Sequence, residues 1–224
     1  MKKKVLIIGG NSKIARTFIK KYKNKYDIDV TIHDDKEELV KNINYFYLNL
    51  ANVTAIKNLT IKLKKYNYDG VLFFASVYSM NANYKQAEFL KIIKINFLSC
   101  LNLISNLKLN KNSKIIFFTD EGITQPKNKH FFYSFSKALL ENYIRILAVD
   151  FAPHTSIIGI GLGPIMTDKD TLLKKKFYLK SLISIKNPCS GLIKFINFIL
   201  SEKNFYLTGK IIPFDGGAYI NRLN

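Results

Sequence analysis

Arginine and cysteine are scarce in this 224-residue sequence, and tryptophan is absent. Of the 35 basic residues only three are arginines, Arg16, Arg145 and Arg222, although the formal net charge is +19. Arginine is the side chain best suited to bidentate recognition of phosphates and bases. The charge alone is compatible with a nucleic acid or an anionic membrane as partner. The lysines are spread along the whole chain, however, which favours an ordinary basic surface, and we expect neither partner.

The two cysteines, Cys100 and Cys189, are far apart in the chain and have apolar neighbours. They form neither a disulfide framework nor a metal-ligand spacing, so we expect buried thiols in a reducing compartment. The three histidines, His33, His130 and His154, also lack metal-like spacing. We interpret them as surface or loop residues and predict no metal site.

Long apolar runs are lacking as well. The run Val5–Ile8 near the basic start is too short for the apolar core of a secretory signal. No segment approaches the ~18 apolar residues that a membrane span requires. We therefore expect a cytoplasmic protein without a membrane partner.

Short apolar runs alternate with longer segments of helical periodicity along the chain. This alternation, with strands that are nearly continuously apolar, predicts a parallel sheet covered by helices on both faces. We predict a single α/β domain over residues 1–224, a Rossmann-type doubly wound parallel sheet of about seven strands. The longest helices are predicted over residues 84–107 and 131–152. The irregular stretch 163–190 follows the sixth strand, and we predict that it forms a substrate lid.

A glycine turn, GGNSKIA at residues 9–15, joins the first strand to the first helix. Such a turn lets backbone amides and a helix N-terminus approach a pyrophosphate, although a plain strand-to-helix turn has the same pattern. Asp34 follows the second strand, where an acid commonly binds the adenosine ribose of NAD. Lys13 and Lys36 could instead neutralise the additional phosphate of NADP. These residues by themselves leave the choice between the two cofactors open.

Tyr133 and Lys137 lie one helical turn apart, on one face of the predicted helix after the fifth strand. A nearby ammonium favours tyrosinate, so we expect the proton of the phenol to become easier to move. The pair begins its helix at the sheet edge where a nicotinamide would lie. Asp120 precedes the tyrosine by thirteen residues, and a carboxylate there could also be a simple loop cap.

Taken together, these motifs resemble those of the short-chain dehydrogenase/reductase family over nearly the full chain. The resemblance rests on GGNSKIA, Asn49, FAS at 74–76, Asn96, YSFSK at 133–137, GPIMT at 163–167 and LTGKIIPFDGG at 207–217. It implies that Tyr133 donates the proton, that Lys137 activates it and binds a ribose, and that Asn96 holds a relaying water. For the cofactor it implies contacts from Gly9, Ser12, Lys13, Ile14, Asp34, Asn49, Leu50, Ala75, Gly163, Ile165 and Thr167.

The position of Asp120 carries a serine in most members of this family. A ketone that accepts a hydride develops negative charge on oxygen, which a carboxylate repels. A C=N bond is protonated at nitrogen instead and gains positive character, which a carboxylate stabilises. Asp120 therefore favours an imine-like substrate, although a protonated Asp120 could also assist a ketone.

Reduced pterins contain such a C=N bond. The run from Phe118 to Lys137 resembles the pteridine reductases, and most of all the bacterial dihydromonapterin reductases. This resemblance implies that Tyr78 sandwiches the pterin ring against the nicotinamide and that Ser76 contacts cofactor or pterin. Phe74 departs from the pattern, because it replaces an asparagine.

The expected activity is the NADPH-dependent reduction of a dihydropterin, with NADH also possible. Dihydromonapterin is the expected substrate and dihydrofolate a second one. The alternatives are a carbonyl reductase, such as a 3-oxoacyl-thioester reductase, and a non-catalytic dinucleotide-binding protein. The two longest predicted helices are apolar enough to need cover on more than one face, and in the family such helices form a tetramer interface. We therefore expect a homotetramer.

Overall fold

The computed structural model describes residues 1–34, 39–79, 85–124, 130–163, 165, 181–183, 185–203 and 205–221. Lys36 and Thr167, both predicted to lie near cofactor phosphates, fall outside these ranges. Most of the predicted lid over 163–190 also lies outside the described residues.

One sheet of seven parallel strands forms the centre of the fold, in the order β3-β2-β1-β4-β5-β6-β7. This confirms the predicted Rossmann-type doubly wound sheet. The strand order reverses between β1 and β4, which is where open α/β sheets form their ligand crevice. The strands are β1 (Lys4–Ile8), β2 (Asp27–Ile32), β3 (Asn44–Tyr47), β4 (Asn67–Phe73), β5 (Lys108–Asp120), β6 (Thr155–Leu162) and β7 (Lys210–Phe214).

Helices cover both faces of this sheet. Their bounds are α1 (Lys13–Tyr22), α2 (Val53–Leu63), α3 (Gln86–Ile93), α4 (Ser99–Ile104), α5 (Phe131–Asp150), α6 (Pro188–Ser201) and α7 (Ala218–Asn221). A short 3-10 turn, Glu121–Thr124, follows β5 directly.

Alternate residues of the strands enter two separate apolar cores, one on each face of the sheet. In β1, Val5 and Ile7 pack in a core with residues of α1 and α6, whereas Leu6 and Ile8 pack with residues of α2, α4 and α5. All four side chains are fully buried. Because both faces of the strands are covered, their sequences read as continuous apolar runs and not as alternating ones.

The long helix predicted over residues 84–107 is observed as a continuous helical segment from Gln86 to Ile104. It contains an unpredicted π-helical turn, Lys94–Leu98, between α3 and α4. A π turn accommodates one extra residue within a helix. Here Asn96 lies in that turn and is buried, at 1% exposure.

Candidate active site

The carboxyl ends of β4 and β5 and the start of α5 bring Asp120, Tyr133 and Lys137 together. The Tyr133 hydroxyl donates a hydrogen bond of 3.1 Å to Oδ2 of Asp120. The backbone N–H of Gly122 donates to Oδ1 of the same carboxylate at 2.6 Å. The Lys137 ammonium donates to the Phe118 carbonyl at 2.9 Å. Each group of the cluster is therefore held by a neighbour in the strand or in the turn that follows it.

Burial sets the protonation states of this cluster. Burial and the adjacent Asp120 carboxylate raise the pKa of Tyr133 above its ordinary value. Burial also lowers the pKa of Lys137 to about 8, while Cys100, Asp120 and Glu141 oppose that shift. The pKa of Tyr133 is therefore shifted upward, whereas the nearby lysine alone was expected to lower it. The phenol is thus kept protonated, as a hydrogen-bond donor to Asp120.

Asn96 forms a clamp between the loop after β4 and helix α5. Its Oδ1 accepts from the Val77 N–H at 2.7 Å, and its Nδ2 donates to the Val77 carbonyl at 3.0 Å. Nδ2 also donates to Oγ of Ser136 at 3.0 Å, and that hydroxyl donates to the Tyr133 carbonyl at 2.7 Å. These bonds engage both polar atoms of the Asn96 side chain. Its side chain therefore positions the loop and α5, and its role in holding a relaying water stays a prediction.

Tyr78 lies over the phenol of Tyr133. The two rings meet edge to face, with centroids 4.9 Å apart and an interplanar angle of 75°. His130 stacks against Tyr78 at 5.1 Å and 28°. His130 lies in the loop before α5, as predicted, but its stacking against Tyr78 was not predicted. Its position three residues before Tyr133 indicates only that it lies near the site.

A cavity of about 600 Å³ opens at the carboxyl ends of β1, β2 and β4. Its lining includes six of the predicted cofactor and substrate residues: Gly9, Ser12, Asn49, Leu50, Ala75 and Ser76. Lys13 and Ile14 do not line it; Lys13 begins α1 at the surface, and the Ile14 side chain is buried in the core. The cavity has the place and size expected for the adenosine half of a dinucleotide.

Gly9 allows the close approach on which this cavity depends. Its φ of +91° is a conformation that L side chains rarely adopt. A Cβ built at this position would lie 2.5 Å from the Ala75 nitrogen. Only glycine therefore lets the turn after β1 lie against the loop after β4.

Asn11 links the glycine turn to the end of β2, a role that sequence analysis missed. Its Nδ2 donates to Oδ1 of Asp34 at 3.1 Å and to the Asp34 carbonyl at 3.0 Å. Its Oδ1 accepts from the His33 N–H at 2.7 Å. Asp34 itself does not line the cavity, whereas Asn11 and His33 do. The amide therefore holds the acid that was predicted to bind a ribose.

Gly163 and Ile165 lie after β6, beside the end of β7. The Gly163 N–H donates to the Phe214 carbonyl at 3.1 Å, and the Ile165 N–H donates to the Gly163 carbonyl at 2.8 Å. The Ile165 side chain is buried. Because its N–H is used within the chain, its carbonyl is the backbone group that can face a carboxamide.

Both cysteines are buried, as predicted, and burial raises the pKa of Cys100 to about 12. Within the described ranges, no group of three or more His, Cys, Asp or Glu side chains is arranged to hold a metal ion. Among the same residues, no helix is both long and apolar enough to cross a bilayer.

Comparisons with known proteins identify the family and the fold. A family model described as enoyl-(acyl carrier protein) reductase matches residues 37–219. The dihydromonapterin reductase of Escherichia coli O6:K15:H31 is 29% identical over 110 residues, which are 48% of this chain and 45% of the relative. The match thus spans about half the length of that relative.

Solved structures of the same architecture cover nearly the whole chain. A short-chain dehydrogenase family protein from Francisella tularensis superposes with a TM-score of 0.86 at 19% identity, over 98% of this chain and 99% of the other. A short-chain dehydrogenase from Burkholderia cenocepacia in complex with NADP gives 0.85 at 17% identity, over 96% and 97%. At these identities the likeness establishes the fold alone.

Proposed function

The chain belongs to the short-chain dehydrogenase/reductase family, and from that membership we propose that it reduces a dihydropterin to the tetrahydropterin with NADPH. Dihydromonapterin is the proposed substrate, and dihydrofolate a second one. The observation that carries the proposal is the 3.1 Å hydrogen bond from Tyr133 to Asp120. It places a carboxylate beside the phenol that would give its proton to the substrate.

The residues present fit a dinucleotide. The backbones of Gly9 and Ala75 approach each other closely, and the cavity they border is also lined by Ser76 and Val77 of the loop after β4. In the proposal, Ser12 and the N-terminus of α1 hold the pyrophosphate, while Asn49 and Leu50 hold the adenine. NADPH bound in this way supplies the hydride.

Each residue of the cluster has a defined part in the proton transfer. The hydride adds to the carbon of the C=N bond, and Tyr133 gives its proton to the nitrogen. The Asp120 carboxylate stabilises the positive character that the nitrogen gains. The Lys137 ammonium stabilises the tyrosinate that is left, until a proton from solvent restores the phenol.

NADPH is proposed as the cofactor because Lys13, exposed at the start of α1, supplies a cation for the additional phosphate. Asn11 donates to one oxygen of the Asp34 carboxylate, Oδ1, and a carboxylate has several acceptor sites, so this acid can still accept from a ribose hydroxyl. Structures of the same fold hold NADP in the Burkholderia protein and NAD⁺ in a short-chain dehydrogenase from Leptospira borgpetersenii, so the architecture accommodates both cofactors.

A carbonyl reductase acting on a 3-oxoacyl thioester is the second candidate. The matching family model is described as an enoyl-(acyl carrier protein) reductase, which shares the acyl-thioester substrate class but reduces a C=C bond and not a ketone. The raised pKa of Tyr133 is compatible with either substrate, because a protonated phenol can also donate to a ketone oxygen. The two candidates differ in the use they make of the Asp120 charge.

A coupled absorbance assay tests the proposal directly. The purified protein is offered dihydromonapterin, dihydrobiopterin, dihydrofolate and acetoacetyl-coenzyme A, each with NADH and with NADPH. We expect oxidation of NADPH with a dihydropterin and little with the thioester. The reverse order would favour the carbonyl reductase, and cofactor binding without turnover of any substrate would favour a non-catalytic binding protein.

We also propose that the protein is a homotetramer. Apolar side chains stay exposed along α3, the π turn and α5: Leu90, Leu98, Phe131, Phe135, Ile146 and Val149. A second copy of the chain would cover them. Sedimentation velocity would test this, and a monomer at micromolar concentration would contradict it.

A further inference from the structure

The imidazole of His130 and the ring of Tyr78 are stacked, with centroids 5.1 Å apart and planes inclined by 28°. A weaker polar contact joins the same two side chains, because Nε2 of His130 lies 3.4 Å from the Tyr78 hydroxyl. This contact is at the long end of hydrogen-bond distances. Stacking therefore contributes more than the polar contact to holding the two side chains together.

Tyr78 is thus surrounded on two sides. His130 covers one face of its ring, and Tyr133 lies against it edge to face at 4.9 Å and 75°. The residue is nevertheless 62% exposed. The accessible part of the ring is therefore the side away from His130.

His130 is itself fixed to the catalytic helix. It directly precedes α5, and its carbonyl accepts from the Ser134 N–H at 2.9 Å. Its Nδ1 is buried and has no hydrogen-bond partner among the described residues. The imidazole thus extends from the helix that carries Tyr133 to the loop that carries Tyr78.

We propose that His130 is a positioning residue of the substrate site: it holds the Tyr78 ring so that a single face accepts a flat heteroaromatic ligand. The order of layers is then imidazole, phenol and ligand ring. This extends the proposed function, on which it rests for the identity of the ligand. The stack fixes the distance of the ligand ring from the Tyr133 hydroxyl, since His130 and Tyr133 lie at the start of α5 and the Tyr78 ring packs against both.

The absence of tryptophan allows the position of the ring to be tested without a ligand. Tyr78→Trp introduces a single emitter at this position. In that background we expect His130→Ala to increase quenching of the emission by acrylamide about twofold or more, because the stacked face becomes accessible. His130→Phe keeps a ring there and should restore protection. Equal quenching with and without the histidine ring would overturn the proposal.

Ligand binding gives the second readout, measured in the Tyr78 protein by calorimetry with 7,8-dihydromonapterin and NADP⁺. An aromatic pair contributes roughly 0.5–1.5 kcal/mol beyond its buried area, which corresponds to about 2- to 13-fold in affinity. We expect His130→Ala to weaken dihydropterin binding and raise its KM by about that factor, with unchanged affinity for NADPH. His130→Phe should recover most of the loss.

His154→Ala is the matched control, because His154 is exposed at the opposite end of α5, before β6. It should change neither readout. Unchanged dihydropterin affinity in His130→Ala would contradict the proposal, as would a failure of His130→Phe to recover it. If the wild-type protein binds no dihydropterin, the proposed function fails, and the acrylamide experiment still decides whether His130 holds the ring.

Discussion

The hydroxyl of Tyr133 donates its hydrogen bond to the carboxylate of Asp120, at 3.1 Å. The phenol thus donates to a negatively charged acceptor. Because the site is buried, the electrostatic interaction between the two groups is stronger than it would be in water. That charge and burial raise the pKa of Tyr133. A proton that is held this firmly is released to a substrate atom that becomes basic as it reacts, which both an imine nitrogen and a ketone oxygen do.

Replacing Asp120 separates its charge from its hydrogen bond. Asp120→Asn can still accept from Tyr133, but it lacks the negative charge, and Asp120→Ser restores the residue usual in the family. We expect both variants to lose about 10²-fold or more in kcat with a dihydropterin, the range typical of a general acid–base group. Steady-state kinetics with NADPH measures this. Full activity of Asp120→Ser with a dihydropterin would show that the carboxylate charge is not needed, and a gain with acetoacetyl-coenzyme A would favour the carbonyl reductase.

Sequence periodicity was sufficient for the sheet, because buried parallel strands leave a strong signal in each apolar run. The glycine turn and the Tyr133–Lys137 pair were also visible, since both depend on spacing along the chain. The π turn at Asn96 left no such signal. It serves contacts to Val77 and Ser136, which are 19 and 40 residues distant, and no local pattern encodes them.

Other features depended on single side chains. Helix α6 begins at Pro188, four residues before the apolar run at 192–202, because the Asn187 side chain accepts from the Ser190 N–H. The roles of Asn11 and His130 follow from the folded positions of Asp34 and Tyr78. Neither role could be inferred from the histidine or asparagine alone.

The buried ammonium of Lys137 makes stability depend on pH. Its pKa is about 8 in the folded protein and 10.5 in an unfolded chain. Below pH 8 Lys137 is protonated in both the folded and the unfolded protein. The free-energy cost of burying its charge is then present in full. Between pH 8 and 10.5 the unfolded state binds more protons, so stability rises with pH in that window.

Lys137→Met removes this titration. In the cofactor-free protein we expect the wild type to gain about 2 kcal/mol relative to Lys137→Met between pH 7 and pH 10. Urea unfolding of both proteins at the two pH values measures the difference. Lys85→Met, at an exposed lysine, is the control. Parallel pH dependence of wild type and Lys137→Met would show that the ammonium carries no such cost.

Asn96→Ala removes the clamp on the loop that carries Tyr78. The Val77 N–H and carbonyl lose their side-chain partner, and we expect a loss of about 1–3 kcal/mol in the free energy of unfolding. The KM for the dihydropterin should rise as well, because the loop also carries Ser76. Asn102→Ala, at an exposed site on α4, controls for helix propensity. Equal stabilities of the two variants would contradict the role assigned to Asn96.

Gly9→Ala tests whether the cavity of about 600 Å³ is the cofactor site. The new methyl group would lie 2.5 Å from the Ala75 nitrogen, at a φ of +91°, so the turn after β1 and the loop after β4 must separate. NADPH binding, measured by fluorescence titration, should weaken by more than tenfold.

Gly191→Ala is the matched control, because Gly191 lies within α6 and a Cβ there would meet only the Phe214 ring, at 3.5 Å. Alanine is favoured over glycine in a helix by about 1 kcal/mol, so this variant should bind NADPH normally and unfold at a higher temperature. Because the same chemical change has opposite consequences at the two positions, normal NADPH binding by Gly9→Ala would place the cofactor elsewhere on the sheet edge.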